Sequence, residues 1–393
     1  MAEFRVLTLN SISARGLARL PADRFEHGAA LANPHAILVR SADLHALELP
    51  ASLLAVGRAG AGTNNIPVAR LSERGVPVFN APGANANAVK ELVLAGLLLA
   101  ARNIAPALQF VQALPGDDES LERAVEDGKK AFAGFELAGR TLAVMGLGRI
   151  GSLVADAAIH LGMHVIGYDP EITVEAAWNL PQQVRRAHGI DELLRHADFV
   201  TLHVPLVPAT SGLINGERLA QMKQGAVLLN FARDAIVDAP AVVQALGAKR
   251  LRGYVCDFPA GALMGQPGVL CLPHLGASTR EAEENCAVMV TDTLRDFLEN
   301  GNIRHSVNFP DVSMAREVPH RVAIAHANVP NMLGQISTAM ALAGINIHNM
   351  LNKSRHDMAY TLVDADTPVP APVVESVRAI GGVLSVRALS RLG

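Results

Sequence analysis

The feature that most constrains the fold is a glycine-rich hexapeptide. It reads Gly146, Leu147, Gly148, Arg149, Ile150, Gly151, a G-x-G-x-x-G pattern. The apolar run TLAVM precedes it, the helical pattern SLVADAAIHLG follows it, and the strand candidate HVIGYD comes next. In this context the first glycine permits a tight turn, the second lets the backbone approach a pyrophosphate, and the third lets the helix pack against the strand. The segment predicts a βαβ unit that binds a dinucleotide through its helix N-terminus.

Asp169, at the end of HVIGYD, predicts which dinucleotide is bound. A carboxylate there accepts hydrogen bonds from the adenosine ribose and repels a 2′-phosphate, so NAD is expected rather than NADP. The alternative interpretation is an ordinary glycine-rich turn followed by a surface aspartate.

Short apolar runs alternate with helical patterns along most of the chain. FRVLTL, AILVR, LLAVGRAG and VPVFNAPG fill the N-terminal third, and DFVTLHV, AVLLNFA, GYVCDF and VLCLPH follow the hexapeptide. This rhythm predicts an α/β protein with a doubly wound parallel sheet of the Rossmann type. We expect the acidic stretch Pro115–Asp127 to be a surface connection and Thr279–Glu299 to be a long helix that Asn300-Gly301 ends.

The C-terminal part has a different pattern. SVNFPDVSMAREVPH has two prolines and no period, which predicts a linker. The runs RVAIAHA, MLGQISTAMALAG, INIHNMLNKS, MAYTLVDAD, APVVESVRAIG and VLSVRAL then follow in the order βαββαβ. That order predicts a separate ferredoxin-like module.

Composition excludes several classes of partner. The net charge of −3 gives no electrostatic reason to bind nucleic acid or an anionic membrane. The three cysteines have no metal-ligand spacing and are odd in number, which favours a reducing compartment. The N-terminus shows no secretory leader. The apolar run Leu92–Ala101 is shorter than the about 20 residues that a membrane helix needs, so we expect a core or interface helix and a cytoplasmic protein.

Three further segments follow strand candidates: His203-Val204-Pro205-Leu206, Asn230-Phe231-Ala232-Arg233 and Pro273-His274-Leu275-Gly276-Ala277-Ser278. With the glycine motif, their order and spacing resemble the D-2-hydroxyacid dehydrogenase family. NAPGANANAVKELVLAGLLLA and EAEENCAVMV are similar to the phosphoglycerate dehydrogenases of that family, and the resemblance includes the tail. It implies NAD-dependent oxidation of D-3-phosphoglycerate to 3-phosphohydroxypyruvate, the first step of L-serine biosynthesis.

The resemblance also implies roles for individual residues. His274 is the expected acid/base, because an imidazole titrates near neutral pH. Arg233 is expected to bind the substrate carboxylate through its planar, permanently charged fork. Besides the glycine motif and Asp169, the expected cofactor contacts are His203, Val204, Pro205, Thr210, Phe231, Ala232, Asp257 and Gly276.

One departure from the family pattern concerns the partner of His274. Most members place a glutamate shortly after an Asp-Val-Phe-type strand end, whereas Asp257-Phe258-Pro259-Ala260-Gly261-Ala262 contains none. Either a carboxylate among Glu281, Glu283 and Glu284 reaches the histidine, or the histidine works unpaired.

A phosphorylated substrate carries more negative charge than an unphosphorylated acid, so we expect additional cationic side chains in the substrate domain. Arg40 and Arg58 lie at strand ends, and the resemblance makes them phosphate and carboxylate contacts, with the amides of Ala59, Gly60, Ala61 and Gly62 as a cradle. Asn85, Asn87 and Lys90 are further candidates. The alternatives are another D-2-hydroxyacid dehydrogenase, such as a glyoxylate or hydroxypyruvate reductase, and a non-catalytic dinucleotide-sensing binding protein.

The tail resembles an ACT domain, which binds amino acids at a paired-sheet interface. His326, Asn328 and Asn346 match its ligand positions, so L-serine is a candidate effector; the alternative is a tail that only dimerises. Asn331 replaces the usual glycine. We expect three domains. A flavodoxin-like substrate domain comprises residues 1–90 and 277–308, an NAD domain (91–276) is inserted in it, and a regulatory domain comprises residues 319–393. The active site is expected in the cleft between the substrate and NAD domains, and the protein is expected to be a homodimer or homotetramer.

Overall fold

The structure is a computed structural model that describes residues 2–114, 116 and 118–390. The chain forms two compact units. The discontinuous unit comprises Met1–Asn85 and Arg280–Gly393, and the central unit comprises Ala86–Thr279. These limits fall within about five residues of the expected boundaries at 90/91 and 276/277, while the assignment of a function to each domain stays a prediction.

The N-terminal part of the discontinuous unit contains a parallel sheet. Its strands are β1 Phe4–Leu9, β2 Phe25–Gly28, β3 Ala36–Val39, β4 Ala55–Arg58 and β5 Val78–Phe79, and its helices are α1 Ala14–Leu17 and α2 Val68–Glu73. The sheet order is β2-β1-β3-β4-β5, with all pairs parallel. This is the flavodoxin-like order, which confirms the predicted fold class. The edge strand β2 was not predicted, because its segment FEHG has a single buried apolar side chain.

The central unit contains a seven-stranded sheet. Its strands are β6 Thr141–Met145, β7 His164–Tyr168, β8 Arg185–Arg186, β9 Phe199–Leu202, β10 Ala226–Asn230, β11 Leu251–Cys256 and β12 Val269–Cys271. Its helices are α3 Ala86–Arg102, α4 Ile104–Gln112, α5 Asp118–Gly128, α6 Arg149–His160, α7 Val174–Trp178, α8 Ile190–His196, α9 Gly216–Gln221 and α10 Ala239–Gly247. The parallel order β12-β11-β10-β9-β6-β7-β8 is the doubly wound arrangement that the sequence predicted.

The expected surface connection Pro115–Asp127 is mostly helical instead. Pro115 and Asp117 lie outside the described residues, and α5 occupies Asp118–Gly128. Leu121, Ala124 and Val125 are half-buried at i, i+3 and i+4, which gives the segment the apolar stripe of a helix. The acidic composition hid this short period.

The apolar run Leu92–Ala101 lies within α3, whose inner face buries Val93, Leu97 and Ala101. Among the described residues, no single helix is long and apolar enough to cross a membrane. Helices α3 and α4 reach that apolar length only as a pair bent by 68°.

The discontinuous unit resumes with α11 Arg280–Asn300, and Gly301 follows it at a φ of +73°. The long helix and its stop signal were therefore predicted within one residue. The expected linker 306–320 is irregular, but Phe309, Val312 and Met314 within it are buried. It is a packed part of the unit rather than a loose connection.

The last part of the discontinuous unit is an antiparallel sheet with two helices. Its elements are β13 His320–Ala327, α12 Met332–Leu342, β14 Ile347–Arg355, β15 Met358–Ala365, α13 Ala371–Arg378 and β16 Val383–Ser390. The strand order is β14-β15-β13-β16. The predicted βαββαβ module is confirmed, with Val322, Ile324, Ile336 and Val363 in its core.

Arg321 of β13 ties this module to the segment before it. Its guanidinium contacts both oxygens of Asp364, at 2.5 Å from Nε and 2.9 Å from Nη2, and both residues are at most 1% exposed. The same group donates to the carbonyl oxygens of Asn300, Met314 and Ala315 at 2.9 to 3.0 Å. Because a buried charge needs complete pairing, this network fixes the linker against β13.

Candidate active site

Most of the predicted cofactor and catalytic residues of the central unit follow strands of its sheet. The strands β6, β9, β10, β11 and β12 are consecutive neighbours and all parallel, so their carboxyl ends meet at one edge. The segments that begin there are 146–151, 203–205, 231–233, 257–258 and 272–276. Ligands of doubly wound sheets bind at this edge.

The three glycines of the hexapeptide are required for three different reasons. Gly146 has a φ of +91°, and a Cβ there would lie 2.6 Å from the carbonyl oxygen of His203. A Cβ on Gly151 would overlap the carbonyl oxygen of Gly146. A Cβ on Gly148 would meet no protein atom within 4 Å. Gly148 therefore leaves open space in front of the loop, where a pyrophosphate can approach the backbone.

The start of α6 and Asp169 complete the environment of the loop. No side chain caps α6 at Gly148, so its first amides are free to bind phosphate oxygens. One oxygen of Asp169 accepts from the amide of Leu147 at 2.8 Å, and the other accepts from the amide of Glu171 at 3.0 Å. The carboxylate is thus fixed beside the glycine loop. These residues fit a dinucleotide that lacks a 2′-phosphate.

Replacing Gly148 by alanine tests this arrangement. Because a Cβ at this position touches no protein atom and φ is −68°, the variant should fold with an unchanged melting temperature. The methyl group should still obstruct the pyrophosphate and raise the Kd for NADH at least tenfold, measured by fluorescence titration. An unchanged Kd would contradict the placement of the phosphates, and Gly189→Ala, at another open helix N-cap, is the matched control.

His203 follows β9 beside the loop. Its Nε2 lies 3.0 Å from the hydroxyl of Thr201, while its Nδ1 is buried and has no partner among the described residues. Burial lowers the pKa of His203 from 6.5 to about 3, so the ring is neutral at physiological pH. The His203 imidazole is therefore a neutral polar group, not a cation, at the carboxyl edge of the central sheet.

The lowered pKa of His203 predicts a dependence of stability on pH. Between pH 3 and 6.5 the unfolded state binds a proton here that the folded state does not, so stability falls as pH falls through this window. Protonation of His203 in the unfolded state lowers the free energy of unfolding by up to about 1.4 kcal/mol for each pH unit in this window. Urea unfolding of His203→Gln at pH 7, 6 and 5 should show a shallower decline than the natural protein. Parallel declines would contradict this.

Arg233 follows β10 and is exposed, and its only described side-chain contact is from Nη1 to the carbonyl oxygen of Ala232, at 2.6 Å. No carboxylate within the described residues pairs with it. Asn230, which is fully buried, positions the segment: its Nδ2 donates to the carbonyl oxygen of Arg233 at 2.8 Å, and its Oδ1 accepts from the amide of Ala232 at 3.1 Å. Asn230 was missed as a functional residue, although a buried amide at a strand end was a visible signal.

Asp257, the first residue after β11, is 1% exposed. Its two oxygens accept hydrogen bonds from the amides of Leu275 and Gly276, at 2.7 and 2.8 Å. The carboxylate therefore fixes the loop that carries His274, and the contact of Asp257 with the cofactor stays a prediction.

His274 is exposed and has a φ of +56°, a left-handed conformation that is uncommon outside glycine. Its ring meets the ring of Phe258 edge-on, with centroids 5.0 Å apart. Among the described residues of the central unit, no carboxylate pairs with it. The role of Phe258 was not predicted, because a ring contact between two residues 16 positions apart leaves no pattern in the sequence.

The remaining predicted cofactor residues shape the same edge. Phe231 is buried against Gly96 of α3, where a Cβ would lie 3.0 Å from the ring. The Thr210 hydroxyl donates to the carbonyl oxygen of Pro205 at 2.5 Å and accepts from the amide of Val207 at 2.9 Å, which closes the turn after Val204.

In the discontinuous unit, Arg40 and Arg58 are close neighbours. Nε of Arg58 donates to the carbonyl oxygen of Arg40 at 3.1 Å, and Arg40 forms an ion pair of 2.6 Å with Glu283. Arg58 packs over Gly60, where a Cβ would lie 3.0 Å from the guanidinium carbon. The amides of Ala59 and Gly60 bind backbone carbonyl oxygens at 2.8 Å, which leaves those of Ala61 and Gly62 for the expected carboxylate cradle.

Glu283 and Glu284 among the candidate acids, and Asn87 and Lys90 among the candidate substrate contacts, bind local partners. Glu283 pairs with Arg40, and Glu284 pairs with Arg15 at 2.7 Å. At the start of α3, Lys90 donates to Oδ1 of Asn87 at 2.6 Å. Asn85 is half-buried in the turn before that helix.

The predicted effector residues of the tail are not brought together. His326 is 2% exposed, and its ring nitrogens contact the carbonyl oxygen of Ala327 at 2.8 Å and the hydroxyl of Thr361 at 2.9 Å. Asn328 and Asn346 are exposed at opposite ends of the sheet, next to Asp357 and Asp366. Seven strand residues separate those ends, about 24 Å at 3.4 Å per residue. Asn331 takes the left-handed backbone of the expected glycine, with a φ of +63°.

Comparisons with known proteins agree with this geometry. Residues 94–276 match the family model described as "D-isomer specific 2-hydroxyacid dehydrogenase, NAD binding domain". Fold and site together define an NAD-dependent oxidoreductase of the D-isomer specific 2-hydroxyacid dehydrogenase class that acts on a small molecule.

Curated relatives show to which family within this class the chain belongs. D-3-phosphoglycerate dehydrogenase of Haemophilus influenzae is 34% identical over 87% of this chain and 83% of its own length. The Escherichia coli K12 protein of the same name is 33% identical over 86% and 82%. The chain belongs to the D-3-phosphoglycerate dehydrogenase family. Among solved structures, a protein from Thermus thermophilus matches 77% of this chain and 99% of its own, with 29% identity and a TM-score of 0.63.

Proposed function

We propose that the protein catalyses NAD-dependent oxidation of D-3-phosphoglycerate to 3-phosphohydroxypyruvate, the first step of L-serine biosynthesis. The main observation in support of this reaction is that the glycine loop, Arg233 and His274 all lie at one edge of the central sheet. The relatives named above carry the choice of substrate. The five-stranded part would be the substrate domain, the central unit the NAD domain, and residues 319–393 the regulatory domain.

The two catalytic residues divide the chemistry. The imidazole of His274 takes the proton of the substrate hydroxyl, and it returns the proton in the reverse reaction. The guanidinium of Arg233, free of any carboxylate in the described chain, binds the substrate carboxylate and polarises the developing carbonyl. Bound NAD supplies the hydride acceptor. Asn230 and Asp257 are positioning residues, because they hold the backbone of the two catalytic segments.

A phosphorylated substrate needs cations beyond Arg233, and Arg40 and Arg58 are our candidates. Arg40 is 37% exposed at the side chain, and its partner Glu283 is 41% exposed, so the ion pair between them is weak and exchangeable. A phosphate dianion is a stronger partner for a guanidinium than a single exposed carboxylate.

Arg40→Gln tests the phosphate assignment. We expect the KM for 3-phosphohydroxypyruvate to rise at least tenfold while the KM for hydroxypyruvate changes less than twofold, since only the former carries the phosphate. Arg15→Gln is the matched control, because Arg15 pairs with the adjacent Glu284 in the same way. Equal changes for both substrates would contradict a phosphate contact.

We further propose that L-serine regulates the enzyme through the tail. Because Asn328 and Asn346 lie at opposite ends of one sheet, a site that uses both needs two copies of the module, which supports a homodimer or homotetramer. His326 would contribute by position rather than by direct contact, because Thr361 of β15 holds its ring and the ring contacts the carbonyl oxygen of Ala327 at the start of the loop. Three cysteines without a disulfide support a cytoplasmic location.

A further inference from the structure

Two of the three cysteines lie side by side at the active edge of the central sheet. Cys256 is the last residue of β11 and Cys271 the last residue of β12, and they are direct partners in the register of these strands. Their sulfur atoms are 3.5 Å apart. Neither residue has a role in the proposed reaction.

This placement suits a disulfide. Neighbouring strands are about 4.8 Å apart. That separation lies within the range of about 4.4 to 6.8 Å between Cα atoms that a disulfide spans. Closing the sulfur separation from 3.5 Å to a bond of about 2.05 Å requires a relative movement of about 1.5 Å. A movement of that size needs side-chain rotation and a small shift of the strand ends.

We propose that Cys256 and Cys271 are a site of reversible oxidation by a hydroperoxide, and that the disulfide formed there slows turnover by displacing His274. This effect on turnover rests on the proposed function, whereas the formation of the disulfide does not.

The two cysteines differ in accessibility, which sets the order of the steps. Cys256 is fully buried, and burial raises the pKa of its thiol well above the usual value. Cys271 is partly exposed, so its sulfur attacks the peroxide first. With hydrogen peroxide, a sulfur–oxygen bond forms, the oxygen–oxygen bond breaks, and the leaving hydroxide takes the proton of the Cys271 thiol as one water. The sulfur of Cys256 then attacks that of Cys271, the sulfur–oxygen bond breaks, and hydroxide leaves with the Cys256 proton as a second water.

Two short paths connect the pair to His274. Along the chain, Cys256 precedes Asp257, whose carboxylate holds the amides of Leu275 and Gly276. Through space, the Cys256 sulfur contacts the carbonyl oxygen of Phe258 at 3.5 Å, and the ring of Phe258 meets that of His274. A displacement of about 1 Å at a catalytic group can cost about 100-fold in rate. The disulfide therefore acts on the position of the imidazole.

The test treats the full-length protein with hydrogen peroxide and counts free thiols after denaturation. The natural protein has three cysteines, so the count should fall from three to one, and the intact mass should fall by two hydrogens. Cys286→Ser should fall from two thiols to none. In Cys271→Ser, which changes a partly exposed residue and should fold, the disulfide cannot form and two thiols should persist. Addition of oxygen to Cys271 without loss of the Cys256 thiol would overturn the proposal.

Turnover with NADH and 3-phosphohydroxypyruvate is measured on the same samples. We expect at least a tenfold loss in the oxidised natural protein, recovery with dithiothreitol, and no loss in peroxide-treated Cys271→Ser. Unchanged turnover in a fully cross-linked sample would overturn the regulatory part. If the untreated protein does not use this substrate, the proposed function fails, while the thiol count and mass still decide whether the disulfide forms.

Discussion

Replacing His274 by asparagine is expected to lower kcat by about 10²- to 10⁴-fold, the usual contribution of a positioned acid/base. Asparagine is the right replacement because it tolerates the left-handed backbone found here, with a φ of +56°. Loss of activity then reports the imidazole and not a distorted loop. The Kd for NADH should stay within twofold, because the predicted phosphate and ribose contacts involve other residues.

His356→Asn is the matched control for this variant. His356 is also exposed and also left-handed, with a φ of +53°, but it lies in the turn between β14 and β15 of the tail. Its replacement should leave kcat unchanged. A kcat within threefold of the natural value in His274→Asn would contradict the assignment of the acid/base.

Replacing Arg321 by methionine is expected to lower the free energy of unfolding by about 3–5 kcal/mol. The variant leaves the Asp364 carboxylate, which is fully buried, without a counter-charge. It also removes the donors to the carbonyl oxygens of Asn300, Met314 and Ala315. Urea denaturation gives the change directly.

Two further variants separate the buried charge from general damage. Arg321→Met combined with Asp364→Leu removes both charges and should recover part of the loss, because no charge is left unpaired. Arg378→Met breaks an exposed ion pair with Glu375 in the same module and should cost less than about 1 kcal/mol. A loss below 1 kcal/mol in Arg321→Met would show that the network does not hold the linker.

The strands and helices that could be predicted from the sequence are those whose apolar residues recur at short, regular intervals. The runs FRVLTL and TLAVM are β1 and β6 to the residue: TLAVM is buried at four of its five positions, and FRVLTL buries Phe4 and Val6 at alternate positions. β8 was missed because it is only the pair Arg185–Arg186, held by pairing to β7 rather than by apolar burial. The helix α5 was missed because its half-buried stripe is small beside its acidic residues.

The linker shows a second limit of sequence reasoning. Its irregular backbone follows from two prolines and the lack of a period, but its burial does not. Phe309 and Val312 join a core cluster with residues distant in sequence, such as Tyr360 of β15, whose ring centroid lies 6.4 Å from that of Phe309. Such long-range contacts leave no periodic pattern.

The residues that carry the chemistry of the candidate site were easier to predict than the contacts that hold those residues in place. The strand–turn–helix context indicated Gly146–Gly151, whereas Arg233 and His274 followed from the resemblance of their segments to the D-2-hydroxyacid dehydrogenase family. The positioning contacts were not visible, since the sequence does not say that Asp257 holds the loop of His274 or that His326 faces inward. Both depend on side-chain direction, which follows from tertiary packing.

The central claim is tested most directly by kcat/KM for NADH-dependent reduction of 3-phosphohydroxypyruvate, hydroxypyruvate and glyoxylate by the purified protein. We expect the phosphorylated acid to be preferred at least tenfold, since charge-assisted contacts to a phosphate contribute about 1.5–3 kcal/mol each. Equal or faster turnover of the unphosphorylated acids would contradict the substrate assignment, and no turnover of any 2-oxo acid would contradict the enzymatic function itself.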